Sequence, residues 1–184
     1  TVCAKVKIAQ TASEATALRE LVPALPLLRG AILIVQHMPP VFTAQLADSL
    51  SQIGHMPAVE VSSRMPMEGG KIYIAAGGHH MVVEASGSTI ELCPDEGPAE
   101  MNCKPSVNVL FRSIAKAMEK RTLSAMGVVM TGMGYDGYDG MKALRAKGAH
   151  LIAQSRESCL VYGMPAKPAE DGLVDESLDI QGIA

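Results

Sequence analysis

Val128-Val129-Met130-Thr131-Gly132-Met133-Gly134-Tyr135-Asp136-Gly137-Tyr138-Asp139-Gly140 is the stretch on which the reading of the fold turns. Met126, Val128, Val129 and Met130 form a short apolar run. Gly132, Gly134, Gly137 and Gly140 then free the backbone where the chain must change direction. Beyond Gly137, Met141, Leu144 and Arg145 fall at helical spacing, with Lys142 and Lys147 outside. A buried strand therefore hands over to a helix through a glycine-rich loop, and Asp136 sits at the turn. In open α/β sheets ligands bind outside the carboxyl ends of strands, which is where such a turn lies. Two readings of its carboxylates fit equally: a cap on the helix that follows, or a catalytic acid, since both need the same backbone position.

Outward from this stretch the same alternation recurs. Residues 2–9 alternate well enough for a first strand, although Lys5 and Lys7 are unusual for a strand buried on both faces. Ala17, Leu18 and Leu21 share a helical face, and Pro23 and Pro26 are expected to end that helix. Ala31 to Val35 is wholly apolar, as in a parallel sheet, and delivers Gln36-His37-Met38-Pro39-Pro40. Val41 to Ile53 reads as a helix with Phe42, Leu46, Ala47 and Leu50 inward, followed by a short strand at Val59 to Val61. Three β-like runs between Lys71 and Pro98, punctuated by Gly77-Gly78 and Ser86-Gly87-Ser88, read as antiparallel hairpins. Ser106 is placed to cap a helix over 107–120 whose Val107, Leu110, Phe111, Ile114 and Met118 make an apolar stripe. His150 to Ala153 is a further strand, Gly163-Met164-Pro165 opens a last short helix, and Leu173-Val174 reads as a terminal extended piece. The expected fold is α/β: a doubly wound, mostly parallel sheet flanked by helices, with an antiparallel hairpin insertion. Residues 1–184 are expected to form one domain, with no second domain preceding it in this chain.

The totals narrow the function. Of 184 residues 48% are hydrophobic, 3% aromatic and none is Trp, so the core is aliphatic and rich in Met. A net charge of −3 with acids and bases interspersed argues against nucleic acid as a ligand, and no basic run suggests a membrane surface. No stretch approaches the roughly 18 apolar residues of a span, and the start lacks the regions of a signal peptide, so cytoplasm is the expected compartment. Cys3, Cys93, Cys103 and Cys159 show no metal-ligand spacing; free thiols are expected, with a Cys93–Cys103 bridge the alternative. His79-His80 point to opposite faces of a strand and do not suggest a shared metal. Gly132-x-Gly134-x-x-Gly137 matches a dinucleotide fingerprint by letter, yet Asp136 inside it would repel a pyrophosphate. No cofactor and no metal are expected.

Thr11, His37 and Asp136 each follow an apolar strand. If those strands are parallel neighbours, a hydroxyl, an imidazole and a carboxylate converge on one sheet edge, the inventory of a nucleophile, its base and an orienting acid. Four blocks then match a known family: Gln36-His37-Met38-Pro39-Pro40-Val41-Phe42-Thr43, Lys104-Pro105-Ser106-Val107-Asn108-Val109-Leu110-Phe111, Met130-Thr131-Gly132-Met133-Gly134-Tyr135-Asp136-Gly137 and Val161-Tyr162-Gly163-Met164-Pro165. In this order they resemble the catalytic domain of CheB-type protein-glutamate methylesterases. The resemblance implies a Ser/His/Asp triad that hydrolyses glutamyl methyl esters on bacterial chemoreceptors, with some glutamine deamidation. It places His37 on the catalytic histidine, Asp136 on the catalytic aspartate and the Met133 backbone N–H in the oxyanion hole. The expected partner is a helical receptor segment, for which Met38, Met133 and Met164 could form an apolar rim.

The chain departs from that family at the nucleophile. Its first loop reads Ala9-Gln10-Thr11-Ala12-Ser13-Glu14 where the family has Gly-Ala-Ser-Thr-Gly-Gly, so Thr11 stands at the nucleophilic serine and Ala12 N–H is the second expected oxyanion donor. Threonine has the hydroxyl, but its methyl restricts χ1 and crowds the attacked carbon. Thr11-Ala12-Ser13-Glu14 also fits a capping box, which would engage the hydroxyl with helix backbone. Two functions stay open on these residues: a methylesterase with Thr11 as nucleophile, or a catalytically impaired homologue that binds a receptor or signalling protein. The family commonly carries a regulatory receiver domain ahead of the catalytic one, and none is expected within these residues.

Overall fold

The computed structural model describes the backbone of residues 4–11 and the whole of residues 15–87 and 89–184. The first half runs β1 (Ala4–Thr11), α1 (Thr16–Ala24), β2 (Ala31–Gln36), α2 (Pro40–Ile53) and β3 (Ala58–Val61). β4 (Met65–Pro66), β5 (Ile72–Ala75), β6 (His80–Ser86), β7 (Thr89–Asp95) and α3 (Val107–Lys120) follow. The last third is β8 (Leu123–Val129), α4 (Tyr138–Arg145), β9 (His150–Gln154), a 3-10 turn at Arg156–Ser158, α5 (Ala166–Glu170), β10 (Glu176–Leu178) and α6 (Ile180–Ile183). A seven-stranded sheet has the order β10-β9-β8-β1-β2-β5-β3, and each of its pairings is parallel. β4, β7 and β6 form a separate antiparallel sheet.

Parallel strands covered on both faces need apolar side chains, and β2 meets that demand with five buried apolar residues before buried Gln36 at its end. The pleat then sorts them: Ala31, Leu33 and Val35 join the core shared with α3 and α4, whereas Ile32 and Ile34 join the one shared with α1 and α2. Of the α3 stripe, Met118 is partly buried and Val107, Leu110, Phe111 and Ile114 are fully buried. Each such side chain contributes about 1.5–3 kcal/mol. From β1 the chain moves to β2 on one side and later returns through β8 on the other. The carboxyl ends of β1, β2 and β8 thus flank the point where the winding reverses, the crevice in which open α/β sheets bind ligands.

Several local expectations are corrected. The Ile72–Ala75 run is not part of the antiparallel insertion; it is a fully buried parallel strand between β2 and β3. α1 continues through Pro23 to Ala24 rather than stopping before it, so the proline falls in the last turn. The helix begins at Thr16 with Ala15 as its N-cap, while Thr11 closes β1, so Thr11 is not the cap of that helix. Phe42 is exposed and Thr43 is the buried residue of that turn of α2. The terminal extended piece is at Glu176–Leu178 rather than Leu173-Val174. Cys93 and Cys103 are free thiols. Among the described residues no helix is long and apolar enough to cross a membrane.

Candidate active site

Parallel register sets the first two positions. Thr11, the last residue of β1, pairs with Gln36, the last of β2, so His37 leaves the sheet one residue beyond the end of β1. The Thr11 side chain and the whole of Ala12, Ser13 and Glu14 lie outside the described residues. Asp136 comes from the loop after β8, the strand on the other side of β1. Its Oδ2 accepts from His37 Nε2 at 2.8 Å, across 99 residues of sequence.

Asp136 is 2% exposed, and a carboxylate so placed needs many donors. Oδ1 accepts from Ser106 Oγ at 2.7 Å and the Asn108 N–H at 3.1 Å; Oδ2 accepts from the Val107 N–H at 2.8 Å as well as from His37. Ser106 is the N-cap residue of α3, yet its hydroxyl makes no cap bond. The free N–H groups of that helix go to Asp136 instead. Asp136 thus caps a helix, but α3 rather than α4, and in the same position accepts from His37. Gly137 stands at the N-cap of α4 in a left-handed conformation (φ 95°), and Asp139 is paired with Lys142 rather than capping. Burial pushes the Asp136 carboxyl up. The bonds from His37, the Val107 and Asn108 amides and the Ser106 hydroxyl outweigh it and hold the group below the ordinary carboxylate range.

Two more side chains stiffen this arrangement. Asn108 Oδ1 accepts from the Gly140 N–H at 2.8 Å and so ties α3 to α4. His80 is buried; Nδ1 accepts from the Ser106 N–H at 3.0 Å, and Nε2 therefore carries the hydrogen given to the Pro98 carbonyl at 2.9 Å. That histidine ties the loop between β7 and α3, at Pro98, to the start of α3, which suits it to structure rather than to a metal. With Nε2 of His37 donating to Asp136, Nδ1 is the ring nitrogen that accepts a proton. The Cys103 sulfur lies 3.7 Å from it. Burial, then the charge of Asp136, pushes that thiol up to about 11.

The remaining edge is the loop at Met130–Tyr135. Thr131 N–H donates to Gln154 Oε1 at 2.8 Å, and the Gly132 carbonyl accepts from the Gly163 and Met164 amides. A side chain at Gly163 would meet that carbonyl at 2.5 Å, so glycine is required for the approach of the two loops. Met133 is 76% exposed, and among the described residues no acceptor engages its N–H. Met38 is partly buried, and Met164 lies in the core, so the latter is no part of an exposed rim. Ser106, Asn108, His80 and Cys103 were not singled out as site residues from the sequence. The first two stand inside the Lys104 to Phe111 block, and Cys103 and His80 carry no spacing signal that would reveal them.

Residues 6–184 match the protein-family model described as CheB methylesterase. The chain is 44% identical over 171 residues to a protein of Desulfotalea psychrophila named protein-glutamate methylesterase/protein-glutamine glutaminase, covering 91% of this chain and 46% of that protein. It is 40% identical over 168 residues to the Escherichia coli K12 protein of the same name, covering 91% and 47%. It thus spans a little under half the length of the curated relatives it matches. The crystal structure of the Thermotoga maritima CheB methylesterase catalytic domain superposes with a TM-score of 0.91 at 30% identity, covering 99% of this chain and 96% of that one.

Proposed function

The chain belongs to the CheB methylesterase family, and from that premise we propose that it hydrolyses methyl esters of glutamate side chains, and deamidates glutamines, on helical segments of chemotaxis receptors in the cytoplasm. The observation that carries this reading is the His37–Asp136 pair at the carboxyl edge of the sheet, one residue beyond the end of the strand that terminates in Thr11. Thr11 is the proposed nucleophile, His37 the general base and then acid, Asp136 the orienting acid.

His37 Nδ1 takes the Thr11 hydroxyl proton as Oγ1 attacks the ester carbonyl. Asp136 holds the ring through Nε2–H and stabilises the imidazolium that forms. The N–H groups of Ala12 and Met133 are the proposed donors to the oxyanion. Collapse of the tetrahedral intermediate expels methanol, which receives the proton from Nδ1, or ammonia when the substrate is glutamine. Water, activated by the same nitrogen, then releases the glutamate carboxylate. No metal or cofactor enters these steps.

Methanol release from methylated receptor tests the reading. The wild type is expected to release methanol, Thr11→Ser to raise the rate by roughly ten- to hundredfold by relieving the crowded approach, and Thr11→Ala to abolish it. No release by the wild type together with clear release by Thr11→Ser makes the chain a receptor- or signalling-protein-binding homologue instead.

A further inference from the structure

Cys103 takes no part in that chemistry, yet the fold holds its thiol against the same histidine. Residues 100–103 form a tight turn closed at both ends, with the Glu100 N–H donating to the Cys103 carbonyl at 3.1 Å and the Cys103 N–H to the Glu100 carbonyl at 2.8 Å. Its two central residues, Met101 (φ 52°) and Asn102 (φ 60°), are in the left-handed region without being glycine. Such conformations persist where surrounding structure fixes them. Here the Glu100 carboxylate grips Arg112 of α3 with both oxygens, and the Lys104 carbonyl accepts from the Gly78 N–H. The sulfur is thereby set 3.7 Å from His37 Nδ1.

That separation fits two ligands of one tetrahedral ion. Zinc–sulfur and zinc–nitrogen bonds of about 2.3 and 2.0–2.1 Å at a tetrahedral angle put the donor atoms about 3.6 Å apart. The third side chain is in place as well: Asp136 accepts from the opposite nitrogen of the ring, the carboxylate–histidine–metal arrangement that fixes a ligating imidazole and raises its basicity. Each Asp136 oxygen already accepts two hydrogen bonds, so the carboxylate stays behind the histidine rather than joining it as a ligand. Among the described residues, His37, Cys103 and Asp136 are the one group of three such side chains gathered closely enough to surround an ion. Cys103 and His37 are both partly open to solvent, which gives an ion a way in.

We propose that Cys103 Sγ and His37 Nδ1 form a two-ligand site for a zinc-class divalent cation, with Asp136 as the outer partner of the imidazole and water in the remaining positions. A thiolate and an imidazole select zinc over magnesium or calcium, which prefer oxygen. On binding, the thiol proton passes to solvent, the sulfur bonds the metal, and the Nδ1 lone pair is committed to it. The same lone pair is the one that accepts the hydroxyl proton in catalysis. Metal occupancy and base function therefore exclude each other, a consequence that rests on the methylesterase reading, whereas the binding itself does not.

Calorimetric titration of zinc chloride into chelator-treated full chain tests the site, with wild type compared against Cys103→Ala, Cys103→His, His37→Ala and Asp136→Asn. One site per chain is expected. It weakens by about 100-fold or more in the two alanine variants, is retained in Cys103→His, and weakens by about 10–100-fold in Asp136→Asn. Cobalt substitution should give a thiolate-to-metal charge-transfer band in the wild type that Cys103→His lacks while still binding. Equal zinc affinity in wild type and Cys103→Ala, with both folded by thermal melting, overturns the proposal, as does absence of the cobalt band. Methanol release with and without zinc separates the two claims. Loss of the binding result with intact esterase activity sinks only the metal site, and intact zinc binding with no esterase activity sinks only the methylesterase reading.

Discussion

Within the loop after β8, Met133 and Asp136 are three positions apart and obey different physics. Asp136 is 2% exposed and takes four hydrogen bonds, three of them from the start of α3. Met133 is 76% exposed, and Tyr135 beside it is exposed too. The inner end of the loop is part of the core and leaves the imidazole one position. The outer end faces solvent. The proposed hydrolysis of a protein side chain needs both, since orientation of the base tolerates little error while recognition of a partner rewards adaptable contact.

The largest break in this contrast is expected from Asp136→Asn. An amide offers one acceptor oxygen where the carboxylate offers two, so its NH₂ group must face either the Ser106 and Asn108 donors or those of Val107 and His37. Methanol release is expected to fall by on the order of 10³–10⁴-fold, as when the orienting acid of other triads becomes an amide. Stability should drop with it, by about 2–4 kcal/mol, because buried donors lose their acceptor. Activity kept within tenfold by this variant in steady-state assay would mean that the carboxylate is structural only.

Acid titration sharpens the same point. The Asp136 pKa is lower in the folded chain than in the unfolded one, so its contribution is fully present above the unfolded value of about 3.9 and is lost as pH falls through the folded value. Urea midpoints measured from neutral pH downward should fall more steeply below about pH 4 for the wild type than for Asp136→Asn. Parallel curves for the two proteins would assign the acid sensitivity to other carboxylates.

How much of this was visible in the sequence follows from the range of each interaction. The parallel strands are legible as unbroken apolar runs, which a sheet covered on both faces demands, and the stripe of α3 because burial on one helix face imposes a period of 3.6. Ile72–Ala75 was assigned to the wrong sheet because a short apolar run carries no mark of its partner strand. The His37–Asp136 bond spans 99 residues; their places after apolar strands allow it, and the order of four family blocks singles it out. The capping of α3 by Asp136 was hidden for a different reason. Ser106 occupies the standard cap position, and nothing local says that its hydroxyl turns away to a carboxylate 30 residues on. Spacing to the other cysteines says nothing of Cys103, whose neighbour is a histidine 66 residues earlier.

The smallest effect is expected at the outer end of the loop, and it tests whether exposure there means recognition. Met133→Ala removes a side chain that the core does not use, so thermal stability should stay within about 0.5 kcal/mol of wild type. The backbone N–H survives the substitution, and with it the proposed donor to the oxyanion, so kcat should be little changed. What is lost is the proposed apolar contact with a receptor segment, felt equally in the ground and transition states, which is expected to raise KM by about five- to tenfold. A fall in kcat at constant KM would reverse that assignment. It would place the methionine side chain, rather than the amide beneath it, among the groups that shape the transition state, and the division of the loop into a rigid inner end and an adaptable outer one would no longer hold.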